Sequence, residues 1–126
     1  MKVLLDLNIW IDLAARPRSF PASVKIYRKL EQEAHTICFP LCGYTTVYYL
    51  IEKVLGPNAA LSFMRTLSDR SVRLLTFGLP EVALAHKLQF SDHEDGCVAA
   101  TALNYGCDFV VSRNLRDFKG SPTAVR

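Results

Sequence analysis

The sequence predicts an α/β fold, a three-layer α/β/α sandwich built on a central parallel sheet of four to five strands. Short β-rich apolar segments alternate along the chain with longer segments of helical periodicity, a pattern that favours right-handed crossovers between parallel strands. The sequence contains no repeat, low-complexity tract or linker, so we expect one domain over residues 1–126. A chain of this length, with 50% hydrophobic residues, can bury its own core.

The predicted strands are short, and helices separate them. The strands are KVLLD, HTICF, SVRLLT and DFVVS, at residues 2–6, 35–39, 71–76 and 108–112. A helix opens at Pro21 and keeps one apolar stripe from Val24 to Ala34. The next helix repeats apolar residues from Val47 and ends at Gly56.

Three more helices complete the predicted pattern. One runs from about Ala60 to Leu67, and Pro80 opens another that extends through Leu88. Residues 94–105 form the last helix, with Gly106 as its C-terminal stop.

Composition narrows the class of protein. The net charge of +3 permits nucleic-acid binding without indicating it, because such proteins usually carry a clustered basic face. Charged residues interrupt every apolar run well before the ~20 residues that a membrane span needs, and no signal-peptide pattern opens the chain, so we expect a cytoplasmic protein. We expect buried thiols at the four cysteines rather than disulfides or zinc ligands: Cys38, Cys42, Cys97 and Cys107.

Acidic residues from three separate segments are predicted to meet at the carboxyl edge of the sheet. Asp6 ends the first strand, and residues 112–118 leave the fourth strand at the same edge, which brings Asp117 there. The last helix starts at this edge, so its first turn contributes a further group of acids: Asp92, Glu94 and Asp95. Asp95 shares a helical stripe with small apolar residues that should face the sheet: Ala99, Ala102 and Leu103.

Each of these acids also has a purely structural interpretation. Asp6 suits a turn at a strand end, Asp95 a favourable interaction with the helix dipole, and Asp117 an N-cap or a surface charge. Glu94 has capping-box spacing from Ser91, and Asp92 is an equally good cap.

A structural interpretation of each acid leaves their convergence unexplained, because carboxylates on one small area repel one another. A divalent cation removes that objection, and hard oxygen ligands suit Mg²⁺ or Mn²⁺. The sequence therefore predicts metal-dependent phosphoryl or phosphodiester chemistry, in which the metal neutralises charge and activates water.

Two segments carry distinctive motifs. LLDLNIWIDL at residues 4–13 contains a D-x-N pattern after an apolar strand. SDHEDGCVAATALNYGCDFVVSRNLRDF at residues 91–118 contains a D-x-x-x-A-A-x-A helix followed by an S-R-N-x-x-D-F turn. These segments resemble the opening pattern, the helix and the (T/S)-R-N-x-x-D-F turn of the PIN domain family, the ribonuclease fold that includes the VapC-type toxins of bacterial toxin–antitoxin pairs. The resemblance implies a Mg²⁺- or Mn²⁺-dependent endoribonuclease acting on RNA, a homodimer, and an antitoxin partner.

The resemblance also implies roles for single residues. Asp6, Asp95 and Asp117 match the catalytic, metal-binding acids of the family. The other matched or nearby positions are expected to support the site or contact substrate: Ser112, Asn114, Asp92, Glu94, Thr46, Arg113, Arg116 and Lys119. Asn8 matches a residue that braces the first turn between strand and helix.

The sequence departs from the family pattern in two places. The family commonly has a glutamate in the first turn after strand two, where this chain has Thr45 and Thr46. Glu52 lies roughly 13 Å further along that helix at 1.5 Å per residue, so we expect it to be a solvated charge and Asp92 or Glu94 to substitute. Near the C-terminus, PTAVR supplies only a stub of the family's further strand. Asp12 is also expected to be a solvated charge.

Two alternative functions stay open. A catalytically weak or inactive PIN module that binds nucleic acid or a protein is favoured by the missing glutamate. A phosphotransferase of the haloacid-dehalogenase type also opens with a strand-end aspartate, but it needs a second aspartate where this chain has Asn8. The sequence has no phosphate-binding glycine-rich motif.

Overall fold

Five parallel strands form the centre of the computed structural model, which describes residues 1–69 and 71–126. The strands are β1 (Lys2–Leu5), β2 (Thr36–Pro40), β3 (Arg73–Leu75), β4 (Phe109–Val111) and β5 (Ala124–Val125). Their order in the sheet is β3-β2-β1-β4-β5, and every neighbouring pair is parallel. The predicted α/β sandwich is confirmed, and β5 is the two-residue stub expected near the C-terminus.

Six α-helices within residues 1–69 and 71–126 cover the sheet. They are α1 (Leu7–Ala15), α2 (Pro21–Gln32), α3 (Tyr44–Leu55), α4 (Pro57–Asp69), α5 (Leu79–Leu88) and α6 (His93–Asn104). The crossovers from β1 to β2 and from β2 to β3 advance in one direction, whereas the crossover from β3 to β4 returns past β1. Because such crossovers are right-handed, α1–α4 cover one face of the sheet, and α5 and α6 cover the other.

The core of the first layer is organised around the single tryptophan. Trp10 is 1% exposed, and its ring lies 6.1 Å from that of Tyr27 and 5.3 Å from that of Phe39, measured between centroids. Its indole N–H donates to the Leu5 carbonyl at 2.9 Å, so the buried polar group is satisfied. Trp10 thereby fixes α1 to α2 and to the strands β1 and β2.

Asp12 is fully buried, which makes the expectation of a solvated charge wrong. Its carboxylate accepts hydrogen bonds from Ser23 Oγ at 2.8 Å and from Arg113 Nε at 2.7 Å and Nη2 at 3.3 Å. The Arg113 guanidinium stacks on the Phe20 ring at 3.9 Å, and Arg16 lies 3.8 Å from the same carboxylate. Charge-assisted bonds from distant segments make burial tolerable, and helical spacing alone cannot reveal partners that lie 101 positions away.

The helix predictions needed two smaller corrections. Leu103 is 43% exposed, although Ala99 and Ala102 on the predicted inward stripe are fully buried. Leu103 lies about 80° around the helix from Asp95, at the edge of that stripe, because each residue turns the helix by about 100°. The predicted capping box of Ser91 and Glu94 is also wrong, since Asp92 caps α6.

Other expectations hold within the described part of the chain. Cys38, Cys97 and Cys107 are buried, Cys42 is half-buried, and all four are free thiols. Across residues 1–69 and 71–126, no helix is both long enough and apolar enough to cross a membrane.

Candidate active site

Asp6 links the end of β1 to the start of α1. It is the N-cap of α1: one carboxylate oxygen accepts from the Leu7 backbone N–H at 2.8 Å. The other oxygen accepts from the Ser112 hydroxyl at 2.8 Å. The side chain is only 3% exposed, so it lies at the floor of the carboxyl edge of the sheet. Each carboxylate oxygen of Asp6 keeps a free lone pair, so its role as N-cap is compatible with its predicted role as a metal ligand.

Ser112 connects that floor to the turn after β4. Its hydroxyl donates to Asp6 and also accepts from the Asn114 backbone N–H at 3.0 Å. Asn114 in turn begins the single-turn 3₁₀ helix Leu115–Phe118, and its carbonyl accepts from the Asp117 N–H at 3.1 Å. One hydroxyl therefore fixes the position of the turn that carries Asp117.

The Asp117 turn is held against α6 by aromatic packing. Phe118 is 3% exposed, and its ring meets that of Phe90 edge-on at 6.1 Å between centroids. A Cβ at Gly96 would lie 3.3 Å from Phe90 Cβ, so glycine allows Phe90 this close approach to the first turn of α6. The packing brings Asp117 beside Asp95.

The start of α6 supplies three acids with different surroundings. Asp92 accepts from the backbone N–H groups of Glu94 at 2.9 Å and Asp95 at 3.2 Å, so capping accounts for it. Glu94 accepts from the Thr46 hydroxyl at 2.7 Å, which joins it to the first turn of α3. Asp95 is half-buried, on the same stripe of α6 as the fully buried Ala99 and Ala102.

The acids lie close enough for their charges to raise the pKa of Asp95 and of Asp6. Burial, followed by the charges of Asp92, Asp6, Asp117 and Glu94 in that order, together raise the pKa of Asp95 to about 7. Burial also raises the pKa of Asp6, opposed by its hydrogen bonds and assisted by the charges of Glu94 and Asp117. Three distant segments thus concentrate negative charge at one edge of the sheet, as the sequence predicts.

No cation of the described chain offsets this charge through an ion pair. Within residues 1–69 and 71–126, the salt bridges involve only Asp12 and Glu33 among the acids. In the same residues, no three His, Cys, Asp or Glu side chains already form a group that could hold a metal ion. The carboxylates are neighbours that repel one another, and their oxygen chemistry suits Mg²⁺ or Mn²⁺.

A groove of about 350 Å³ gives access to three of these acids. Asp92, Asp95 and Asp117 line it together with two exposed cations, Arg116 and Lys119. The groove therefore presents acidic groups beside basic ones, an arrangement that can receive a phosphate and a divalent cation together.

Three other residues that were considered in the sequence do not line this groove. Arg113 is bonded to Asp12 and stacked on Phe20, with 32% of its side chain exposed, so it is largely committed to internal contacts. Asn8 is half-buried at the second position of α1, and Glu52 is partly exposed near the end of α3.

Sequence reasoning missed Gly43, which controls how closely α3 approaches Asp6. A Cβ at Gly43 would lie 2.8 Å from Leu7 Cγ and would overlap the methyl groups of that buried side chain. Gly43 has an ordinary negative φ, so backbone conformation gives no sequence signal. Glycine here allows the chain carrying Thr46 to reach the N-cap of α1.

We expect Gly43→Ala to destabilise the protein by about 1–3 kcal/mol, because the added methyl forces buried Leu7 out of place. Urea denaturation would measure the loss. The same substitution made in a Leu7→Ala background should cost much less, since the overlapping side chain is gone. Equal costs in the two backgrounds would mean that the overlap is not the cause.

Comparison with known proteins places these observations in context. The chain matches a family model described as PIN domain over residues 2–116. No curated protein sequence matches it.

Solved structures extend the comparison to the whole fold. VapBC2 from Rickettsia felis, bound to a promoter DNA fragment, is 18% identical with a TM-score of 0.77 and covers 100% of this chain and 98% of its own. DNA-bound VapBC from Salmonella typhimurium is 18% identical with a TM-score of 0.76, covering 100% and 97%. VapC20 from Mycobacterium tuberculosis, a toxin that cleaves the sarcin–ricin loop, is 15% identical with a TM-score of 0.65, covering 86% of each chain. At these identities the likeness concerns the fold.

Proposed function

The chain belongs to the PIN domain family, and from that premise we propose that it is a divalent-metal-dependent endoribonuclease that hydrolyses phosphodiester bonds of RNA. The observation that carries the proposal is the set of carboxylates at the edge of the sheet: burial and the neighbouring charges raise the pKa of Asp6 and Asp95, and no acid of the set forms a salt bridge among the described residues.

Asp6, Asp95 and Asp117 are the proposed metal ligands. When bound, Mg²⁺ or Mn²⁺ supplies charge neutralisation at the phosphoryl group and an activated water. Ser112 orients the Asp6 carboxylate through its hydrogen bond, and Asn114 starts the turn that presents Asp117. Arg116 and Lys119, on the rim of the same groove, engage the phosphates of the substrate.

Glu94 is our candidate for the role of the glutamate missing from the first turn of α3. Its hydrogen bond from Thr46 directs it toward that turn, and its charge contributes to the raised pKa of Asp6. Asp92 is a weaker candidate, because one of its oxygens already caps α6 and, among the described residues, no hydrogen bond joins it to the first turn of α3.

An antitoxin and a second copy of the chain are the proposed protein partners. The R. felis and S. typhimurium structures are VapBC complexes. Tyr49, Val54 and Leu55 on α3 are between 49% and 59% exposed, which offers apolar surface for such contacts. Light scattering of the purified chain would give its oligomeric state, and a small protein encoded next to it would be the first antitoxin to test.

RNA cleavage in the presence of Mn²⁺, Mg²⁺ or EDTA tests the enzymatic proposal. We expect cleavage that EDTA abolishes and that Asp117→Asn reduces about a hundredfold or more, since a lost ligand removes several kcal/mol of transition-state stabilisation. Asp69→Asn, an exposed substitution at the end of α4, is the matched control and should cleave normally.

Cleavage indifferent to EDTA would exclude the metal site. RNA retention without cleavage would favour the second candidate, a PIN module that only binds. One observation supports that alternative: the described acids do not already form a group that could hold a metal ion.

A further inference from the structure

The exposed face of α2 carries an unusual concentration of positive charge. Four basic residues and four neighbours line a surface groove of about 590 Å³: Arg18, Lys25, Arg28 and Lys29 with Pro17, Pro21, Val24 and Gln32. All four cations are exposed. The mild net charge of the chain therefore conceals the clustered basic face that its composition did not predict.

These cations are not neutralised by neighbouring acids. None of them takes part in a salt bridge within residues 1–69 and 71–126. Glu31, the first acid of α2, lines a different cleft with Tyr27 and His35. Lys25 and Lys29 are four residues apart on one helix face, where like charges oppose helix stability. The stability of α2 therefore does not explain why its exposed face carries these basic residues.

A series of contacts links the start of the groove to the candidate active site. Pro17 and Arg18 belong to the loop between α1 and α2, and Phe20 of that loop stacks on Arg113 at 3.9 Å. Arg113 directly follows Ser112, whose hydroxyl is bonded to Asp6. From there α2 extends for about 18 Å at 1.5 Å per residue. A linear polyanion leaving the carboxylate edge can follow the helix.

We propose that this α2 groove binds the phosphate backbone of the RNA substrate beyond the cleavage position. The inference rests on the proposed ribonuclease function and adds a second site to it. Arg18, Lys25, Arg28 and Lys29 bind successive phosphates, while Pro17, Pro21 and Val24 give apolar contact to riboses or bases. The link to the carboxylate edge through Phe20, Arg113 and Ser112 favours RNA over an acidic protein segment, which has no need to reach that edge.

A pair of charge-reversal variants tests the groove. The groove variant is Lys25→Glu/Arg28→Glu/Lys29→Glu, and the matched variant is Lys53→Glu/Arg65→Glu/Lys87→Glu. Both change two exposed lysines and one exposed arginine, so both alter the net charge equally. Fluorescence anisotropy with a labelled single-stranded RNA, in EDTA and over a series of KCl concentrations, measures binding without cleavage.

We expect the groove variant to bind RNA about tenfold or more weakly than the matched variant at low salt. The slope of log K against log salt should fall in magnitude by about 2 in the groove variant, since each phosphate contact on a single strand contributes roughly 0.7. With Mn²⁺, the groove variant should still cleave a short oligonucleotide that reaches only the carboxylate edge.

The possible results separate the two proposals. Equal RNA affinities and salt slopes in the two variants would overturn the groove, because the effect would then be one of net charge. Unchanged RNA binding with lost binding of a polyglutamate peptide would also overturn it and indicate a protein partner. If the wild type cleaves no RNA but the groove variant alone loses RNA binding, the groove stands and the nuclease proposal fails.

Discussion

Arg113→Ala is expected to lower the free energy of unfolding by about 3–5 kcal/mol, because it leaves the carboxylate of Asp12 buried without its closest charged partner. Asp12 is 0% exposed and receives two bonds from this guanidinium. The stack of Arg113 on Phe20 is lost as well. The midpoint of urea denaturation would measure the effect.

Arg116→Ala is the control for this prediction. Arg116 is the same residue type three positions later, but it is exposed and lies on the rim of the active-site groove. Its substitution should change stability by no more than about 0.5 kcal/mol. Similar denaturation midpoints for the two variants would contradict a structural role for the Asp12–Arg113 pair.

Asp95→Asn is expected to make the metal-free protein more stable at neutral pH while it removes RNA cleavage, by about a hundredfold or more. Burial and four neighbouring acids raise the pKa of this carboxyl from its ordinary 3.8 to about 7, so its charged form opposes folding. An amide of nearly the same shape carries no charge. Melting temperature in EDTA and cleavage rate in Mn²⁺ should therefore move in opposite directions.

The raised pKa of Asp95 should also make the stability of the wild-type protein depend on pH. Between about pH 4 and pH 7 the unfolded chain has already released the Asp95 proton and the folded chain still holds it, so stability falls as pH rises. Above about pH 7 both states are ionised and the loss is complete. We expect the stability of Asp95→Asn to fall less steeply as pH rises. Some pH dependence should remain in this variant, because the pKa of Asp6 is raised as well. Identical profiles for wild type and variant would contradict this interpretation.

The parallel sheet and the grouping of acids at one of its edges follow from features that sequence displays directly, whereas the order of the strands came only from the structure. Apolar segments mark β1 to β4, and the rule that parallel strands end at one edge brings Asp6, Asp95 and Asp117 together before any coordinates are known. The two-residue β5 has too few residues to produce a pattern and was anticipated only through the family resemblance.

Contacts between distant segments are what sequence could not predict. Asp12 has the spacing of a surface residue on α1, and only the fold brings Ser23 and Arg113 to it. The choice of Asp92 over Ser91 as cap of α6 depended on local backbone geometry, since both residues have suitable side chains. The basic groove of α2 could not be predicted from the net charge of the chain. The net charge does not tell which part of the surface the acidic residues leave to the basic ones.

Trp10 provides a practical consequence for experiments on this chain. It is the single tryptophan, it is 1% exposed, and its neighbours come from α2 and β2 as well as from β1. Its fluorescence therefore originates from one known place in the core and needs no label. Water entering the layer between α1 and α2 will shift its emission to longer wavelength, so the emission spectrum can report on the integrity of that layer during each denaturation or RNA titration.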